Sequence, residues 1–467
     1  MLDSALLQKI IKRALSHGGD YADVFIEHRK TTAIQLEDDR IEKVITGSVA
    51  GIGVRLIFDR KTAYAYSNDF SGTALLDLAG TISKAASGKG IPGRRGNIAI
   101  DLRRKTPETT FLIKKPSGGV PMSSKIGLVK KGNEVARAYD GRIKQVNVVY
   151  SDSVQKIAVF TSEGCLAEDE RTYTTGMVRV IAADGGTIQT GYESAGGLTG
   201  YELFDDHPMD AIALKAATRA VMMLKARKAP GGRMPVIISS EAGGTMIHEA
   251  IGHGLEADLA QYGLSVYSKK IGEQVASSVI TVIDDATIPN KRGSFCFDDE
   301  GTPSQRNVLV KDGILVSYMY DKYSARIDGT SSTGNGRRES YESKPIPRMT
   351  NTLIAPGALT PDEVIGSVAG GLLVKKMGGG QVNTVTGDFV FEVQEGYLIE
   401  SGGIGELVRG ATLIGNGPEV LKSIDMVASD LGFSIGTCGK DGQGVPVSDA
   451  MPTLRIPDIV VGGEVHP

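Results

Sequence analysis

Cysteine is scarce in this sequence: three residues in 467, Cys165, Cys296 and Cys438. An odd, widely spaced set argues against a disulfide framework and fits a reducing compartment, the cytoplasm. Long apolar runs are missing too, so no membrane-spanning helix is expected. The stretch 6–15 mixes Lys9, Lys12 and Arg13 into an amphipathic pattern. It lacks the basic start, apolar centre and small-residue cleavage site of a signal peptide. Nor is either charge in excess. The formal net charge is -3 and the pI about 6.2, which gives no electrostatic case for nucleic acid. The small basic spots Arg94-Arg95 and Arg103-Arg104-Lys105 read as solvated loop. Proline is modest, 18 residues against 60 glycines with no collagen-like period. That imbalance points to many tight turns between strands rather than to disorder.

The length exceeds one ordinary hydrophobic core, so two domains are expected, 1–229 and 230–467. The first contains an internal duplication, about 1–88 and 120–229, joined by a Gly/Pro/basic linker at 89–119. Val24-Phe-Ile-Glu-His28 aligns with Val148-Val-Tyr-Ser-Asp152, and Ala33-Ile-Gln-Leu36 with Ile157-Ala-Val-Phe160. In the same register the turn Asp38-Asp39-Arg40 faces Ser162-Glu163-Gly164, and Val54-Arg-Leu-Ile57 faces Val178-Arg-Val-Ile181. Each copy reads as a helix (6–15, 125–138), about four antiparallel strands and a second helix (74–86, 209–226). After the boundary at Ala229-Pro230-Gly231-Gly232, short strands dominate: 235–239, 279–283, 294–297, 308–310, 315–320, 389–394 and 397–399. Lys311-Asp312-Gly313 and Glu395-Gly396 read as hairpin turns. Helices are expected at 361–374 and 418–431. The class is α+β with antiparallel sheets, not a doubly wound fold.

The chemistry concentrates in His248-Glu249-Ala-Ile-Gly-His253-Gly-Leu-Glu256-Ala-Asp258, which holds two of the chain's six histidines. Paired imidazoles hold a zinc ion, and a carboxylate beside them takes a proton from water. Here the spacing is five rather than four. At about 100° per residue, five residues leave the rings ~140° apart, whereas four leave ~40°. A regular helix therefore cannot aim both at one ion. Either the helix stops near Gly252 and Gly254, or a π-bulge adds one residue to a turn. The bulge is the expectation, because Leu255, Leu259 and Ala260 allow the helix to continue. The flanking small residues are expected to let a substrate approach.

A catalytic zinc keeps three protein ligands and one open position. Candidates for the third are Glu256, Asp258, Cys296 and Cys438. Glu256 and Asp258 fit equally as partners orienting the imidazoles. Cys296 alternates with Phe295 and Phe297 and reads as a buried thiol in a strand. Cys438, in the glycine-rich stretch 436–444, reads as an accessible thiol in a loop and is preferred.

These segments together resemble the TldD/PmbA family of zinc peptidases over nearly the whole chain. The matching stretches are His248–Glu256, Pro347-Arg-Met-Thr-Asn-Thr352, Gly403-Ile-Gly-Glu406 and Gly436-Thr-Cys-Gly439. The resemblance implies one zinc held by His248, His253 and Cys438 in an HExxxH metallopeptidase, with Glu249 as general base. It also implies unfolded or small peptides as substrate. The assembly it implies is a homodimer, or a heterodimer with a paralogous subunit lacking the metal motif. All motif residues are present, as on the catalytic TldD side of the family.

Two rivals remain. A non-catalytic metal-binding scaffold, or a partner subunit of a heteromeric complex, would close the ion with four protein ligands, leaving Glu249 without a task. A serine hydrolase is raised by Gly432-Phe-Ser434-Ile-Gly436, but the sole downstream histidine is His466, so Ser434 reads as part of a turn. The glycine cluster 378–380 lacks the strand–turn–helix setting of a phosphate or dinucleotide loop.

Overall fold

The computed structural model describes residues 3–86 and 100–464. Helix α1 (Ser4–Ala14) leads into three long antiparallel strands, β1 (Tyr21–Glu37), β2 (Arg40–Phe58) and β3 (Lys61–Ser67), and then α2 (Gly72–Ala85). The same unit recurs as α3 (Met122–Tyr139), β4 (Ile143–Thr161), β5 (Cys165–Asp184), β6 (Thr187–Leu198) and α4 (Met209–Met223). Each copy has three strands rather than about four, because the aligned pairs 24–28/33–36 and 148–152/157–160 each lie on one continuous strand. Asp38 and Asp39 turn the first hairpin with φ of 46° and 68°. The copies join through antiparallel pairing of β1 with β4, giving the order β3-β2-β1-β4-β5-β6. Helices α1 and α2 close one apolar core beneath this sheet, and α3 and α4 close another. Of the segment 89–119 and the basic spots, 89–99 with Arg94 and Arg95 lies outside the described residues. Arg103–Arg104 adds a two-residue parallel strand beside β5.

The second half is mostly strand, in two sheets that share one core. Strands β7 (Gly232–Ile238), β11 (Gly370–Val382), β12 (Asp388–Glu400), β13 (Thr412–Asn416) and β16 (Leu454–Gly462) pair in the order β11-β7-β16-β13-β12. Pairing of β11 with β12 closes the ring. The other sheet runs β9-β8-β10-β15-β14, from β8 (Val282–Asp285), β9 (Arg306–Lys311), β10 (Asn351–Ile354), β14 (Gly432–Lys440) and β15 (Gln443–Met451). The turn at Asp312-Gly313 follows expectation, with φ of 49° and 81°.

Several local expectations fail, and for the two helices the reason is that apolar runs do not reveal their period when both faces are buried. The helix expected at 361–374 ends at Gly366, and Leu372, Leu373 and Val374 enter the barrel as strand. The helix expected at 418–431 ends at Ser423. Residues 294–297 form no strand; Phe295 and Phe297 are buried from a turn-rich segment. Glu395-Gly396 lies inside β12 and turns nothing. Buried ion pairs tie the first sheet to the second half: Arg55 contacts Glu300 at 2.6 Å and Arg171 contacts Asp299 at 2.8 Å.

Candidate metal centre

The motif helix is packed by Met246, Ile247, Ile251 and Leu255, all inside the shared core. Its register changes along its length. Thr245–Ile247 is α-helical, His248–Gly252 is one π turn, and His253–Leu255 is 3₁₀. The His253 N–H donates to the His248 carbonyl, the i→i+5 bond of a π-bulge. The wider turn brings the imidazoles together, with centroids 5.0 Å apart and planes at 89°. The expected bulge is present. The helix does not run on, because Glu256 is extended (ψ 123°) before a new turn at Ala257–Gln261. Gly252 and Gly254 serve packing rather than substrate approach. A Cβ on Gly252 would overlap Met349 Sδ, and one on Gly254 would lie 2.6 Å from Tyr267 Cδ2.

Cys438 reaches this helix from β14, on a strand and not in a loop. Its sulfur is buried and lies 3.4 Å from His253 Nε2. One donor atom from each of His248, His253 and Cys438 falls within 4.8 Å of the others. Tetrahedral zinc with ordinary bond lengths needs donor separations of roughly 3.3–3.6 Å, so the three side chains fit the ion with small adjustment. Burial opposes charge on the thiol, but the two imidazoles outweigh it and hold Cys438 at about 5. The sulfur is thus a thiolate at neutral pH, the form that binds metal.

Carboxylates stand behind both rings. His253 Nδ1 lies 3.0 Å from Glu256 Oε2. His248 Nδ1 has no hydrogen bond and sits 3.7 Å from Asp449 Oδ2, which leaves its Nε2 for the sulfur side. Glu256 is fully buried between Lys440 (3.2 Å) and Arg348 (3.8 Å). Burial pushes its carboxyl up, but Lys440 and His253 outweigh that and hold it at about 2. Asp258 pairs with Lys440 at 2.7 Å and does not reach the imidazoles. Asp449 accepts hydrogen bonds from Ser434 Oγ and the Gly244 N–H. Ser434 therefore bonds an aspartate on the facing strand rather than a histidine; His466 lies outside the described residues. Cys296 is not part of this donor group; it packs with Cys165 and Phe297, and burial and Asp169 push its thiol up to about 12.

Glu249 is half-buried and makes no hydrogen bond or ion pair among the described residues. The segment 347–352 supports the site one residue at a time. Arg348 donates to the Cys438 and Gln443 carbonyls, and Met349 packs on Gly252. Thr350 and Thr352 donate to buried Asp284, and Asn351 bonds the Asp285 carbonyl and Ser294. Gly403–Glu406 lies instead at the outer strand beside β12, where Glu406 pairs with Arg227. Sequence reasoning missed Asp449, Lys440 and Arg348. The available signal was the hairpin itself: β14 places Ser434, Cys438 and Lys440 on one face by its period of two, and Ser434 is registered opposite Asp449.

Profiles for the three PmbA/TldA metallopeptidase domains match this chain: domain 1 over 22–87, the central domain over 115–224 and the C-terminal domain over 231–463. A metalloprotease TldD homolog of Haemophilus influenzae is 40% identical over 95% of this chain and 93% of its own length. A metalloprotease of Methanocaldococcus jannaschii is 36% identical over 96% and 98%. A protein of Saccharolobus solfataricus named zinc metalloprotease TldD homolog is 27% identical over 98% and 100%. Among solved structures, TldE of Thermococcus kodakarensis superposes with a TM-score of 0.76 at 20% identity, covering 98% of this chain and all of its own. A Thermotoga maritima protein described as a putative modulator of a DNA gyrase gives 0.78 at 20% identity, covering 95% and 96%. These two show the shared fold.

Proposed function

The chain belongs to the PmbA/TldD metallopeptidase family, and on that premise we propose that it hydrolyses peptide bonds at a zinc centre held by His248, His253 and Cys438. When bound, the ion supplies Lewis acidity toward water and toward the scissile carbonyl. Glu249 accepts the proton of the attacking water and returns it to the leaving amine. Glu256 orients the His253 ring at 3.0 Å, and Asp449 faces His248 Nδ1 at 3.7 Å, which leaves Nε2 of each ring for the sulfur side. The substrate is an unfolded or small peptide, taken as an extended strand along a sheet edge.

The observation that carries this reading is Glu249: a half-buried carboxylate with no partner among the described residues, next in sequence to His248 of a group of three donors. A closed structural site would need a fourth protein ligand. The deciding experiment is Glu249→Gln. Zinc content should stay at one per chain while peptide cleavage falls at least about 100-fold. Cleavage at the original rate would overturn the assignment.

We assign the active form to a dimer, either of two identical chains or with a paralogue lacking the metal motif, and native mass measurement distinguishes them. Among the described residues no helix is long and apolar enough to cross a membrane. All three cysteines are free, which supports the cytoplasm as the working compartment.

A further inference from the structure

Behind the Cys438 hairpin, between it and the first sheet, lies a cavity of about 280 Å³. Five arginines and three carboxylates line it. Asp152 is engaged by Lys125 and Tyr150 and Asp299 by Arg171 and the Arg338 N–H, whereas Glu339 accepts the Gly444 N–H, which neutralises no charge, and is exposed to solvent. Arg29, Arg171 and Arg338 approach Glu27, Asp169 and Asp299, or Asp23. Arg292 and Arg337 are left over. Among the described residues neither forms an ion pair.

Arg292 gives only its Nε, to the Gly436 carbonyl at 3.2 Å, and its guanidinium lies 5.9 Å over the Tyr173 ring. Arg337, 2% exposed, spends both terminal nitrogens on the Met349 and Pro446 carbonyls at 2.6 and 2.7 Å, which neutralise no charge. Beside them Tyr173, 8% exposed, has a buried hydroxyl with no hydrogen-bond partner. Two uncompensated guanidinium charges and an orphaned donor around one void are costly unless something negative occupies it. Burial lowers both arginines from their ordinary value, which has the same origin.

We propose that this cavity binds a small oxyanion, a phosphate or a carboxylate, held by Arg292, Arg337 and the Tyr173 hydroxyl. Guanidinium forks and hydroxyls match such oxygens, and the void has room for one. Thr437 lines the cavity while its neighbour Cys438 faces the imidazoles, since side chains alternate along a strand. The anion would therefore brace the Cys438 strand from its opposite face.

The test is calorimetric titration of the purified chain, in chloride buffer free of other oxyanions, with inorganic phosphate and separately with acetate. Saturable one-site binding of either is expected, and which one binds identifies a tetrahedral or a planar ligand. Tyr173→Phe removes one hydroxyl and keeps the ring; it should weaken that binding roughly tenfold. Arg292→Gln should weaken it at least as much. In anion-free buffer Tyr173→Phe should melt no lower than the parent, because its orphaned hydroxyl is gone. Binding of neither anion to the parent, or binding that both variants retain, overturns the proposal. None of these readouts depends on peptide cleavage.

Discussion

Replacing Glu256 by glutamine separates its charge from its shape. The carboxylate has no exposed surface, lies 3.0 Å from His253 Nδ1, and answers the cations of Lys440 and Arg348 at 3.2 and 3.8 Å. Glutamine can still accept a hydrogen bond from the ring, so the imidazole keeps its orientation and loses the basicity that a carboxylate confers. Losing such a partner typically weakens metal binding 10–100-fold, about 1.4–2.7 kcal/mol. Collapse of the fold is not expected. Lys440 retains Asp258 at 2.7 Å, and Arg348 retains the Cys438 and Gln443 carbonyls. Competition against a chromophoric chelator reads the zinc affinity, and Asp258→Asn is the control, with a change of roughly threefold or less because Asp258 does not touch a ring. Equal zinc affinity in Glu256→Gln and the parent, or an equal loss in the control, would refute the argument that Glu256 acts through His253.

Thiolate absorbance of the zinc-stripped protein should titrate near about 5, with the thiolate lost as pH falls through that value. Burial holds Cys165 above its ordinary value and Cys296 at about 12, so Cys438→Ser should erase this transition; a midpoint near the usual thiol value of about 8.5 counts against the geometry. Gly252→Ala drives a methyl into Met349, and should cost about 1–3 kcal/mol in denaturant unfolding, partly recovered by adding Met349→Ala; an unchanged midpoint would show that the turn yields. Chelation should lower the melting temperature yet leave the far-ultraviolet circular dichroism intact, unlike a zinc finger; loss of secondary structure would mean that the ion, not the protein, assembles the site.

How much of this could be read from residues alone depends on separation along the chain. The five-residue spacing of His248 and His253 is a local constraint, and geometry forced a choice that included the observed π turn. The duplicated unit was legible because equivalent strands repeat their apolar alternation at a fixed offset. Cys438 was singled out for a partly wrong reason. Its glycines looked like loop, whereas positive φ falls at Asp441 and Gly442, the true hairpin turn, and Gly436, Gly439 and Gly444 are paired within strands. Lys440 reaches Asp258 across 182 residues, Asp449 reaches the Gly244 N–H across 205, and Arg348 holds the Cys438 carbonyl 90 residues away. No local period encodes such contacts; they appear only once β14 and β15 are set in register.

That distance bears on how the centre is held. An ion joining His253 to Cys438 closes a loop of 185 residues, and closing such a loop from a flexible chain would cost about 5 kcal/mol. Here protein groups also hold its two ends together. Arg348 ties the carbonyl of Cys438 to Glu256, Lys440 ties the end of the same strand to Glu256 and Asp258, and Asp449 fastens Ser434 to the Gly244 N–H at the foot of the motif helix. Three buried polar links between protein groups therefore dock the strand on the helix. Zinc affinity would then be set by the donors and their carboxylate partners, since no fourth donor is needed to hold the strand on the helix.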